Sequence, residues 1–197
     1  TIDGVGCQCA HTAIAAWERD VAKVIDGLDV ASPTHKAIQG LLEGIPLHGV
    51  ALINGWKARA AAFPDALAHA MVRHYLSFFP LWYANERLES RDATIWHYQV
   101  MTESSFNVLG TLAGLNRLYF STFQFKRMRR FIAQMRVAPP DLADRLDDLF
   151  TPDHTAAAAL EALVRDVADL VDVEMPEITT AGVRRMLGRR EQPWSST

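Results

Sequence analysis

Along most of the chain the apolar residues recur three and four positions apart, the spacing that lines one face of a helix. In AIAAWERDVAKVIDGL, Ile14, Trp17, Val21, Val24 and Ile25 share a face, and Gly27 supplies a stop. Ser32-Pro33 has the chemistry of an N-cap and first turn, and predicts a helix carrying Ile38, Leu41 and Leu42. GIPLHG breaks that pattern, VALINGWKARAAAF follows, and Pro64 opens a helix holding Leu67, Met71, Tyr75 and Phe78. Pro80 either bends this helix or divides it in two. The longest uninterrupted helical pattern runs from Ala93 to Tyr119. Pro139-Pro140-Asp141 marks a stop and restart, DLADRLDDLF reads as a short amphipathic helix, and Thr151-Pro152-Asp153 starts another. In the latter, Leu160, Leu163, Val164, Val167, Leu170 and Val171 form a stripe with Glu161, Arg165, Asp166 and Asp169 opposite, and Pro176 ends it.

Only the opening TIDGVGCQCAHTA departs from this spacing, with Ile2, Val5, Cys7 and Cys9 near alternation. The expected fold is therefore all-α, a multi-helix bundle of about seven to nine helices with one short N-terminal strand or extended arm. The expected divisions are an arm or edge strand at 1–10, the bundle at 11–176, and a C-terminal helix with a frayed tail at 177–197.

An apolar fraction of 49% and a charged fraction of 22% suit a chain that buries a core. The formal charge of -3 argues against coating nucleic acid through net charge, so any anion site must be local. No apolar run is long enough to cross a membrane, and no basic-then-apolar leader starts the chain. Two cysteines in 197 residues point to a reducing compartment, and the expectation is a cytoplasmic protein. The first residue is Thr1 rather than methionine, as expected of a processed chain or a fragment.

Cys7, Cys9 and His11 have the look of a metal corner, but a tetrahedral site needs a second ligand pair with no obvious source here. No metal site is expected, and the thiols read as buried or half-buried. RDATIWH, from Arg91 to His97, fits a loose arginine–histidine pattern of helical HEPN-type ribonucleases, in which the pair serves proton transfer and phosphate stabilisation. The plainer reading puts Arg91 and Asp92 at a helix start with His97 on the helix. His69, Arg73 and His74 share a helix and form either an anion-binding face or a solvated stripe. Trp56, Trp82, Tyr83 and Trp96 read first as core residues.

LGTLAGLNRLYFSTFQFKRMRR, from Leu109 to Arg130, carries the strongest signal. Leu109, Leu112, Ala113 and Leu115 are helical and apolar, and Gly110 and Gly114 admit a close helix neighbour. Asn116 and Arg117 fall at the helix end, where a buried amide either caps backbone groups or holds a ligand. Tyr119 and Phe120 cover the bend. Phe125, Met128, Phe131 and Ile132 form an inner face, which leaves Arg127 and Arg130 on a rather outer one and Lys126 near the bend.

The segment NVLGTLAGLNRLYFSTFQFKRMRRFIAQMRVAPPDLADRLDDLF resembles the helical C-terminal region, a domain of unknown function, of nucleotidyltransferase-like proteins. The matching positions are Leu115, Asn116, Arg117, Tyr119, Phe120, Lys126, Pro140, Leu142, Arg145 and Leu146. The resemblance covers roughly residues 60 to 175. Those proteins also carry a catalytic domain in which a Gly-Ser motif grips nucleotide phosphates and an Asp-x-Asp pair binds Mg²⁺. This chain contains neither motif; the resemblance would let Asp3 correspond to the end of that domain. The resemblance implies a substrate-binding or accessory helical domain that holds a small anionic or nucleotide-type ligand through Asn116, Arg117, Tyr119 and Lys126. Chemistry, with its Mg²⁺ and nucleotide, would then reside in a nucleotidyltransferase domain in cis or in trans. Two other readings stay open. One is a self-sufficient helical hydrolase, HEPN-like ribonuclease or otherwise, using acid–base residues among His69, His74, Glu86, His97 and Glu103. The other is a dimerising structural module, a homodimer of long apolar helices rich in small residues.

Overall fold

The computed structural model describes residues 4, 6, 10–84, 92–151 and 156–188. Among these there are ten helices and no strand: α1 (Ile14–Ile25), α2 (Thr34–Glu43), α3 (Val50–Ala61), α4 (Asp65–Tyr75), α5 (Leu81–Tyr83), α6 (Thr94–Leu115), α7 (Met128–Ile132), α8 (Leu142–Asp148), α9 (Ala156–Glu174) and α10 (Ala181–Arg184). The fold is all-α, as the apolar spacing predicts. The helices outnumber the expectation because α5, α7 and α10 are very short elements. Most of the expected N-terminal arm, and the tail beyond residue 188, lie outside the described residues.

The 22 residues of α6 span about 33 Å and carry α4 against one side and α9 against another. Two glycines set the first contact. A Cβ on Gly110 would stand 2.3 Å from Cγ of Tyr75, and one on Gly114 would stand 2.8 Å from Cγ2 of Val72. Helix α4 therefore rests on the bare backbone of α6, an approach that a close-packed interior allows to no larger residue. On α9, Leu160, Leu163, Val164, Val167 and Val171 are buried as the stripe predicts, and Leu170 is partly buried.

The prolines act as punctuation. Pro64 stands immediately before α4, and Ser32 Oγ accepts from Thr34 N at 3.2 Å in the turn that starts α2. Helix α4 stops at Tyr75, five residues before Pro80, and Asn107 Nδ2 donates to Ser77 O at 2.5 Å in the intervening link. Two elements, not one bent helix, occupy this stretch. Helix α6 ends at Leu115 rather than at the expected Tyr119, because Arg117 takes a left-handed conformation at φ 53° that no α-helix accommodates. None of the described helices is long and apolar enough to cross a membrane.

Helix α2 buries His35 and Ile38. Burying that face turns Lys36, Gln39, Gly40 and Glu43 toward the segment that follows α6. This placement creates the site.

Candidate ligand-binding site

The four candidate residues of the bend have different surroundings. Asn116 is half-buried and spends its whole amide on the backbone. Its Nδ2 donates to Leu112 O at 2.8 Å and Val137 O at 2.7 Å, while Oδ1 accepts from Arg136 N at 2.7 Å and Val137 N at 2.9 Å. Two donors and two lone pairs are the full capacity of that side chain. Asn116 thus takes the backbone-capping alternative. Arg117 is exposed and pairs with Asp65, Nη2 to Oδ1 at 2.6 Å. Tyr119 is buried, and its hydroxyl donates to Ala60 O at 2.9 Å. Burial pushes its phenol up to about 12, with Arg59 pulling weakly the other way. Lys126 is exposed and, among the described residues, makes neither a hydrogen bond nor an ion pair.

Tyr119 and Lys126 line one groove of about 410 Å³, which Asn116 and Arg117 do not reach. One wall is α2, through Lys36, Gln39, Gly40 and Glu43; the other is the chain from Tyr119 to Gln134. Arg127 and Arg130 are exposed, as expected of an outer face, and they stand in this wall. Arg127 adopts φ 60°, and the helical phase restarts at Met128.

Two bridges join the walls. Lys36 Nζ donates to Gln124 O at 3.3 Å and Gln124 Oε1 at 3.2 Å. At the other end Arg130 Nη2 meets Glu43 Oε2 at 2.7 Å, and Gln39 Nε2 donates to Glu43 Oε1 at 3.0 Å and Gln134 Oε1 at 3.2 Å. The rings of Phe120, Phe125 and Phe131 interlock behind the groove with centroids 5.4 to 5.6 Å apart. Phe123 is 55% exposed, and Lys36 Nζ stands 5.4 Å from its centroid, within cation–π range.

Four cations, Lys36, Lys126, Arg127 and Arg130, line the groove against one carboxylate, Glu43, on a chain whose formal charge is -3. Like charges gathered in one groove repel, and an anion relieves that repulsion. Gln124 and Arg127 hold φ of 48° and 60°, a region that costs a non-glycine residue of order 1 kcal/mol. The wall is thus kept in a conformation its residue types do not prefer.

Other candidates fall elsewhere. Among the described residues no cluster of His, Cys, Asp and Glu is suited to a metal; Cys7, Cys9, Glu86 and Arg91 lie outside them. His69 sits between Asp65 O, 2.7 Å from Nδ1, and the carboxylate of Glu177 at Nε2. His74 and Glu103 line a second cleft of about 480 Å³ with Asn107 and Thr122, away from His69. His97 is half-buried beside Tyr98, its Nδ1 unpaired among the described residues. Trp56 is half-buried and donates from Nε1 to Glu18 at 3.1 Å, while Trp96 is 42% exposed, so neither is a full core residue.

His35 was not singled out by sequence pattern. Its ring is wholly buried 5.7 Å from that of Tyr119, and Nε2 donates to Asp29 O at 3.0 Å. Burial pushes its pKa below the ordinary histidine value, although the Asp29 carbonyl works in the opposite direction. Lys36, Gln39 and Glu43 were not singled out by sequence pattern either.

No family model matches the chain, and no curated protein or solved structure does either. Fold and groove together define an all-α bundle with a cationic, ring-walled groove between α2 and the chain that follows α6.

Proposed function

We propose that the protein binds a small anionic, nucleotide-type ligand in the groove between α2 and residues 119–134, as the accessory helical module of a nucleotidyltransferase-like protein. The observation that carries this reading is the pair Lys126 and Arg127. Both line the groove, and neither has an ionic partner among the described residues. Arg19, Arg73, Arg136 and Arg185, outside the groove, likewise make no ion pair among the described residues, so what sets Lys126 and Arg127 apart is that they share one groove with exposed aromatic surface. Unpaired ammonium and guanidinium groups beside exposed aromatic surface suit a phosphate attached to a planar ring. The resemblance of residues 60–175 to the helical region of nucleotidyltransferase-like proteins points the same way. Catalysis, with its metal, belongs on this reading to a separate domain in cis or in trans.

The test is calorimetric titration of the chain with ADP, for the wild type and for Lys126→Ala/Arg127→Ala. Loss of two charge-assisted contacts weakens binding by about a hundredfold, while the melting temperature stays within about 2 °C. Equal affinity in the double variant removes the groove as the site.

A second reading is favoured by His74 and Glu103, which line a common cleft. There the chain is itself an acid–base hydrolase. Turnover of RNA or a nucleotide by the pure chain, lost in His74→Ala, is its signature, and absence of turnover discards it.

A further inference from the structure

Gly40 lies in the interior of α2, where glycine is a poorer helix former than any residue but proline. Nothing in the fold calls for it. A Cβ built on Gly40 meets no atom within 4 Å, whereas those on Gly110 and Gly114 would strike Tyr75 and Val72. Its own backbone is ordinary helix, outside the left-handed region. What the missing side chain leaves open is the groove itself, which Gly40 lines. Lys36 stands one turn before it and Glu43 one turn after, and each bridges to the opposite wall. The glycine is therefore a bare stretch of helix between two bridges, with the exposed ring of Phe123 and the unpaired Lys126 and Arg127 in the same groove.

Resting on the reading of the groove as an anion site, we infer that Gly40 keeps open the seat of a flat ring, and that the ligand joins such a ring to two or more phosphates, as a nucleoside di- or triphosphate does. A planar heterocycle needs a smooth apolar surface at van der Waals distance, and a helix without a side chain provides one. Two adjacent unpaired cations suit the accumulated charge of consecutive phosphates. The volume falls within the range of small-molecule sites.

The experiment is calorimetric titration with ADP, inorganic pyrophosphate and adenosine against the wild type, Gly40→Leu, Gly40→Ala and Gly55→Leu. Gly55, on α3, is equally open and lies outside the groove, so it controls for adding a side chain to an exposed helix. The wild type binds ADP about tenfold more tightly than pyrophosphate, and adenosine more weakly than ADP. Gly40→Leu erases the ADP advantage, keeps pyrophosphate within about twofold, and melts no lower than the wild type. Gly40→Ala, a single methyl group, loses part of the same advantage and carries the test if the leucine variant melts lower. Gly55→Leu binds ADP as the wild type does. If the wild type binds pyrophosphate as tightly as ADP, or both Gly40 variants retain full ADP affinity, the ring seat is overturned and the anion site stands. If the wild type binds neither ADP nor pyrophosphate, both the seat and the site are overturned.

Discussion

Asn116 and Val137 are joined by a reciprocal pair of hydrogen bonds, side-chain amide to backbone: Nδ2 donates to Val137 O at 2.7 Å, and Val137 N donates to Oδ1 at 2.9 Å. The side chain imitates a peptide unit, and in doing so closes the stretch of chain that bears three of the groove's four cations. A residue at the end of α6 thereby fixes where Lys126, Arg127 and Arg130 stand, without lining the groove itself.

Replacing Asn116 by alanine leaves Leu112 O, Val137 O, Arg136 N and Val137 N without this partner. At about 1 kcal/mol for each bond, partly recovered by water, Asn116→Ala loses about 3 kcal/mol of stability in urea denaturation. A loss under about 0.5 kcal/mol would show that the amide is dispensable to the bend.

Glu43→Gln keeps the contact to Gln39 and removes the carboxylate from Arg130. The groove then presents four cations and no countercharge among its described lining. ADP and pyrophosphate affinities both rise, by about three- to tenfold in calorimetry. The melting temperature moves little, since an exposed ion pair contributes less than about 1 kcal/mol. Unchanged affinity would mean that Arg130 takes no part in holding the anion.

His35 gives acid sensitivity a definite sign. Its folded-state pKa is depressed by burial, so on acidification the unfolded chain takes up the proton first, near its ordinary value of about 6.5. The neutral ring's contribution is present in full above that pH. Below it, stability falls by at most about 1.4 kcal/mol per pH unit until the folded-state pKa is reached. Denaturation midpoints compared between pH 7 and pH 5 should fall less for His35→Gln than for the wild type. Equal slopes would assign the acid sensitivity to other groups.

Much of the fold was legible because it depends on short-range pattern. The stripe on α9 is a direct consequence of helical period, the start of α4 after Pro64 follows from backbone sterics, and Gly110 and Gly114 announce a close neighbour by lacking a side chain; Pro80 left a bend and a division equally open. The groove was legible only on one side. Tyr119 and Lys126 belong to a conspicuous sequence segment, but Lys36 and Gln124 meet across 88 positions of chain, and Arg130 and Glu43 across 87. Nothing local distinguishes a polar helix face that meets water from one that meets another segment. Helical spacing placed Arg127 and Arg130 on an outer face, and both are exposed; that this face looks across at α2 is a long-range fact it could not give.

The bridges across the groove carry a consequence for how the molecule comes to work. Contacts across such stretches of chain carry an entropic cost of closure, so the two walls meet only where the intervening helices bring them together. The cations and rings are present in any state of the chain, but the cavity belongs to the folded one. Occupancy would accordingly report the finished molecule and, by mass action, protect that form alone from unfolding.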